Sequence, residues 1–325
     1  MTSRVGCRPL WSIIVAIVVF GSLTVRAIDS AANCLLLGAA VTDAGVVAVG
    51  ERGTVLRSSD AGVTWRNVTA PTGATLTAVS FGDSRHGWAV GHDAIVLATT
   101  DGGRSWSKQW QGENLSDSFL DVLALDARHV IAVGGYGLYL STADGGMTWS
   151  RRKIRPDDYH FNRITRGPTG TLYLAGEHGT LLRSTDRGES WTQIPAPYDG
   201  SFYGILPLGP RVVLAYGLRG RVYRSADDGA SWTSVVTSEN ELIAAGVLLP
   251  PGVVILGGQV RALLVSTNDG ATFARAEAGP SSGIAEIVAL PDHTLITLGE
   301  AGATRITARE FARATKGPGA GSSTH

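Results

Sequence analysis

Six oxygen-bearing side chains recur beside a glycine at nearly constant spacing: Asp60, Asp101, Asp144, Asp186, Asp227 and Asn268, in steps of 41, 43, 42, 41 and 41 residues. A carboxylate next to glycine suggests a calcium loop or an acid–base pair. A calcium loop needs several oxygen ligands in one turn, and each of these segments usually offers one carboxylate. The shared pattern is S/T-x-D-x-G-x-S/T-W, as in TADGGMTW from Thr142 to Trp149. In such an Asp-box the carboxyl accepts hydrogen bonds from N–H groups of its own turn, and the glycine two residues later supplies positive φ. The aromatic five residues after the Asp, including Trp65, Trp106, Trp149, Trp191 and Trp232, is expected to pack between strands and to bury a large area.

Other chemistry is thinner. Asp121 and Glu286 could serve as two facing carboxylates for glycoside hydrolysis, but so loose a criterion fits many solvated acids. A sialidase would need an arginine triad, a tyrosine with a glutamate partner and an Arg-Ile-Pro motif near the first strand. The nearest string, Lys153-Ile154-Arg155-Pro156, stands in the wrong unit and order. No metal-ligand spacing, phosphate loop or nucleophile elbow is present. His86, His129 and His293 read as surface loop residues. No catalytic, metal or cofactor-binding residue is assigned, and no cofactor is expected.

The elements that position these residues follow from the repeat, since self-similarity at a fixed period outranks local motifs. A second element precedes each box, as Gly50-Glu51-Arg52-Gly53 or Gly176-Glu177-His178-Gly179, and appears a seventh time as Gly299-Glu300-Ala301-Gly302. The apolar runs between are short and broken by Gly, Pro and Asp, which reads as strands. The expected fold is all-β: a seven-bladed β-propeller of four-stranded antiparallel blades with Asp-box turns, an arrangement that buries sheet faces and leaves few edges. Solenoid repeats are usually shorter.

With the boxes joining the last two strands of each blade, the Gly-x-x-Gly turns gather on the opposite face. That face presents Arg52, His92, Tyr136, His178, Arg219, Arg221 and Gln259 as candidates for partner binding. Phe119, Phe161, Phe202 and Ile243 stand 25 residues before their box residues and read as core. Two residues further on, Asp121 and Arg163, with Glu286 equivalent in the last unit, should approach the central channel, as hydrated lining or as a polar site at its mouth. Arg151, Arg152, Lys153 and Arg155 form the densest basic run, a solvated outer strand or a contact for an acidic partner.

Residues 1–27 resemble a secretory signal, with Arg4 and Arg8 before an apolar run from Leu10 to Val19 and a small-residue cleavage site at Val25-Arg26-Ala27. The run is short for a retained anchor. Residues 28–311 are expected to form the propeller and 312–325 a disordered tail. Removing residues 1–27 takes three arginines and no acid, leaving 25 Lys+Arg against 28 Asp+Glu, a balance that does not favour nucleic acid. Cys34 then stands alone, and the sequence around it lacks the pattern expected for lipid attachment. The seventh unit has no box, so its outer strand is expected from residues 28–33, with Phe311 to Lys316 as the competing candidate.

The Asp-box pattern resembles that of bacterial-neuraminidase-repeat propellers. Within that group, Phe81-Gly82-Asp83-Ser84-Arg85-His86-Gly87-Trp88-Ala89-Val90-Gly91, followed by a box, is similar to the photosystem II assembly factor family. Other units lack the Trp, as in His129 to Gly134. The resemblance implies a seven-bladed, exported, non-enzymatic partner in building membrane complexes. The expected function is therefore a binding or assembly factor of the bacterial envelope, monomeric and periplasmic or secreted, that scaffolds a protein or membrane complex. The alternative is a glycan-active propeller, sialidase-like or endoglucanase-like.

Overall fold

A computed structural model describes residues 34–276 and 280–314. The expected signal segment and residues 28–33 lie outside the described residues. Seven antiparallel sheets follow one another along the chain, each ordered from an inner to an outer strand. The inner strands are Leu36–Thr42, Leu76–Phe81, Phe119–Ala124, Phe161–Arg166, Phe202–Pro207, Ile243–Leu249 and Ile284–Ala289. The first and last inner strands touch, which closes the ring. This is the expected seven-bladed β-propeller.

The second strand of each blade, such as Gly87–Gly91 or Leu172–Gly176, is buried throughout, apart from the first residue, Gly45 or Val253, in two of them. Both of its faces meet a neighbouring blade, so its sequence is continuously apolar, without alternation. The core is accordingly divided into seven apolar layers, one between each pair of adjacent blades. Phe119, Phe161, Phe202 and Ile243 are at most 1% exposed within these layers, in keeping with a core role.

The glycine that ends each second strand answers a close approach, not a turn. A Cβ on Gly50 would fall 2.0 Å from the carbonyl oxygen of Leu35, and one on Gly134 would fall 2.1 Å from that of Ser118. At the same level the inner strand carries a bulge, where register shifts between Leu36 and Gly38 or between Phe161 and Arg163. The bulge turns the following residue towards the ring axis.

The boxes form the bonds expected of them. Asp144 Oδ1 accepts from Thr148 N at 2.9 Å and Oδ2 from Thr148 Oγ1 at 2.6 Å; Asp60 and Asp186 do the same with Thr64 and Ser190. The Thr148 hydroxyl and amide, with a further bond from Thr142, hold the Asp144 carboxyl well below the usual range. Gly62, Gly103, Gly146, Gly188, Gly229 and Gly270 all have positive φ. The first box residue has a role that the sequence reading missed. Thr99 Oγ1 donates to Asp101 at 2.8 Å and accepts from Gly103 N at 3.0 Å, and Ser58, Thr142, Ser184, Ser225 and Ser266 repeat this.

Three expectations need correction. Only Trp65 and Trp106 among the box aromatics are fully buried, at 8% exposure; Trp149, Trp191 and Trp232 are half-buried. They pack against the preceding blade, as Trp65 does on Ile296, because each box reaches over its neighbour. Among the described residues blade 7 has three strands, and residues Ala308–Ala314 form a helix where a strand from Phe311 was the competing expectation. Thr307 caps this helix through Glu310, and Phe311 packs into the layer between blades 6 and 7. The helix thus runs three residues into the segment expected to be disordered; the rest of that segment lies outside the described residues.

Candidate functional site

Two places gather the predicted residues: the channel and the face opposite the boxes. In the channel the position after each bulge is Gly38, Ala78, Asp121, Arg163, Gly204, Ala245 or Glu286. Only blades 3, 4 and 7 place an ionisable group at this level, and the structure brings all three together. Arg163 spans the channel from blade 4, with Nη1 2.7 Å from Glu286 Oε2 and Nε 3.9 Å from Asp121 Oδ2. The remaining carboxylate oxygens take backbone donors: Asp121 Oδ1 accepts from Val122 N, Oδ2 from Ile164 N at 2.8 Å, and Glu286 Oε1 from Ile287 N at 2.9 Å.

Burial pushes the Asp121 carboxyl up to about 6, with Arg163 pulling it down and Glu286 adding to the rise. Burial likewise raises the Tyr216 hydroxyl against the pull of Arg163. The Tyr216 ring covers Gly204, where a Cβ would overlap it. The triad braces the channel with Asp121 buried and Arg163 and Glu286 partly so, and its carboxylates are committed to Arg163 and to amides. Such a pair does not offer the free acid and base of a glycosidase.

On the opposite face, Arg52, His92, Tyr136, His178, Arg219, Arg221 and Gln259 are all exposed. Arg52, Tyr136, His178 and Arg219 occupy the same turn position with φ between 49° and 59°. The left-handed backbone there directs these side chains outward from the rim of the ring. Over blades 3 to 5 the face carries rings in contact. Tyr136, 70% exposed, meets His160 edge-on at 4.8 Å; His178 stacks on Tyr159 at 4.3 Å; and the Arg221 guanidinium lies 4.8 Å over Tyr198. His178, Gly179, Pro197, Tyr198 and Asp199 line an open slot of about 350 Å³.

The sequence reading missed Tyr159, His160 and Tyr198. They sit in the loops between blades, where the repeat has no fixed pattern. The one available signal was their place a few residues before the buried Phe161 and Phe202. Two acids of this face are tied to the backbone instead: Glu51 accepts from Leu35 N and Glu177 from His160 N.

The basic run is not an open patch. Arg151 pairs with Asp117, Lys153 with Asp158 and Arg155 with Asp157, while Arg152 lies over Tyr139 and donates to Gly188 O. His86 and His129 pair with Asp83 and Asp126 three residues earlier, and His293 is exposed. Among the described residues no cluster of three or more His, Cys, Asp or Glu could hold a metal ion.

The profile of the family described as photosynthesis system II assembly factor YCF48 matches residues 57–117 and 107–248. The chain belongs to this family. YCF48 proteins are assembly factors and not enzymes. A photosystem II assembly protein of Thermosynechococcus vestitus is 45% identical over 42 residues, which is 13% of this chain and 12% of that protein. A photosystem II assembly lipoprotein of Synechococcus sp. is 33% identical over 133 residues, 40% of this chain and 27% of that protein. The chain thus matches only a small part of the length of either relative. Among solved structures, YCF48 bound to D1 peptide has a TM-score of 0.69 at 22% identity, covering 84% of this chain and 91% of that one. YCF48 from Cyanidioschyzon merolae has a TM-score of 0.71 at 18% identity, covering 86% and 97%. These likenesses establish the fold.

Proposed function

We propose that this chain is a non-enzymatic assembly factor exported to the bacterial envelope, where it holds a segment of a membrane-complex protein on the face opposite the Asp-boxes. The observation that carries this reading is the row of rings at Tyr136, His178 and Tyr198, the first two exposed and the third half-buried, with the slot they border. Exposed aromatic and arginine side chains beside a shallow polar rim are the usual chemistry of protein recognition. A YCF48 relative bound to a D1 peptide and another described as a lipoprotein support a peptide partner and an exported location. The chain acts as a monomer.

A photo-crosslinking amino acid at Tyr136 and, separately, at Ser59 on the box face tests this directly in an envelope extract. Crosslinks to a partner from position 136 but not from 59 support the reading. The reverse pattern would overturn it.

A further inference from the structure

Over blades 5 and 6 the face opposite the boxes changes character. Val236, just past the outer strand of blade 5, is 86% exposed, and Val260, in the turn of blade 6, is 63% exposed. Around them stand Arg219, Arg221 and Arg261, all exposed. Hydrogen bonds join the segments that carry these residues: Thr237 Oγ1 donates to Gly220 O at 2.9 Å and Gly220 N to Glu241 O at 2.6 Å. Arg275 then ties the two blades together, with Nη1 3.1 Å from the Glu239 carboxylate and Nη2 donating to Val260 O at 3.2 Å.

Backbone and charge both set this sector off from the rest of the face. Blades 1, 3, 4 and 5 place Gly53, Gly137, Gly179 and Gly220 in the turn at φ between 63° and 68°; in blade 6 Arg261 stands there at φ 60°, directly after Val260 at φ 52°. Left-handed backbone is costly for a β-branched residue, and strain of this kind gathers at functional positions. Acidic charge is withdrawn from the same surface, since the Glu239 side chain is 5% exposed and paired with Arg275. Residues 218–221, 236–242 and 258–262 expose one acid, Glu241, against three arginines that pair with no acid among the described residues.

Protein recognition centres on aromatic anchors in packed pockets, with valine under-represented, and these three segments contain no aromatic residue. A lipid interface instead takes separate aliphatic tips into its acyl boundary, while guanidinium groups bind the phosphates and the anionic surface attracts them. The ends of the chain are poor complements to such a patch. Residues 1–27 carry three arginines and no acid, and residues 315–325 carry one lysine, no acid and no apolar side chain larger than proline. We propose that the sector over blades 5 and 6 docks on an anionic lipid surface, with Val236 and Val260 entering the acyl boundary and Arg219, Arg221 and Arg261 on headgroup phosphates. This contact adds to the capture of a protein segment by the rings over blades 3 to 5 and is tested separately from it.

The test adds vesicles of mixed phosphatidylcholine and phosphatidylglycerol to the full chain and reads amide exchange residue by residue. Exchange at Val236, Val260 and Arg261 should be fast in the protein alone and slow about fivefold on these vesicles, with Val63 on the box face unchanged. Local protection separates this contact from any membrane binding by residues 1–27. Vesicles of phosphatidylcholine alone, or raised salt, should give little protection, because the anionic surface is then absent or screened. Val236→Asp combined with Val260→Asp, and separately Arg261→Glu, should each remove the protection with the melting temperature unchanged. Crosslinking from position 136 should persist in both variants, so failure here is distinguishable from failure of the ring site. Slow exchange at Val236 and Val260 in the free chain, equal protection by neutral vesicles, protection that survives the double variant, or a crosslink from position 236 to a protein without protection on vesicles would each overturn the proposal.

Discussion

Arg305 Nε lies 2.9 Å from the carbonyl oxygen of Ala61, joining the last blade to the first across 244 residues of chain. The same latch recurs from Arg57 to Gly102 O at 3.3 Å and from Arg224 to Asp269 O at 2.8 Å. Each reaches from a third strand to the residue after the box Asp or Asn of the following blade. Because blade 7 has no described fourth strand, this bond is a principal polar link closing the ring. Arg305→Ala should lower unfolding free energy by about 1–2 kcal/mol in urea titration. A loss below about 0.3 kcal/mol would show that apolar packing alone closes the ring.

The box hydroxyl satisfies a buried amide, so it should matter more than its size suggests. Thr99→Val keeps the shape but leaves Gly103 N without its acceptor, and should cost about 1–3 kcal/mol. Equal stability of the two proteins would remove the Thr99 hydroxyl from the turn.

Box aromatics should rank by burial. Trp106→Ala, which empties a site 8% exposed, should cost about 3–5 kcal/mol, and Trp149→Ala, half-buried, should cost less. The comparison is made by denaturant unfolding, and the opposite order would place the larger apolar contact at Trp149.

Asp121 should give a pH dependence of its own. Its folded value, raised to about 6 by burial, exceeds the unfolded one, so the folded chain binds this proton more tightly. The contribution is fully present below the unfolded value of ~3.9 and is lost as pH rises through 6. Between pH 5 and 7 the native protein should lose about 1 kcal/mol relative to Asp121→Asn. Parallel stability curves for the two proteins would show that Asp121 stays ionised throughout.

Charge on the ring-bearing face should govern capture and not folding. Arg52→Glu combined with Arg219→Glu is expected to weaken partner capture by roughly tenfold, with a melting temperature within about 2 °C of native, because exposed charges carry little stability. Undiminished capture by the folded double variant would move the interface elsewhere on the ring.

The repeat by itself determined much of this protein. Box spacing near 41 residues gave the blade count, and the local bonds of Asp60 to Asn268 were legible because a turn satisfies its own donors within five residues. Register counted from the boxes also placed Asp121, Arg163 and Glu286 at one level of the channel. Tertiary structure alone decided that Arg163 crosses to Glu286, 123 residues away, since the side chain's direction depends on the bulge and on the small residues beside it. It likewise decided the ring pairs Tyr136–His160 and Tyr159–His178, which are drawn from loops that follow no period. The helix at Ala308–Ala314 was not legible for a related reason. Beyond Gly302 no repeat constrains the chain, and the helix holding Phe311 forms because the layer between blades 6 and 7 accepts its ring.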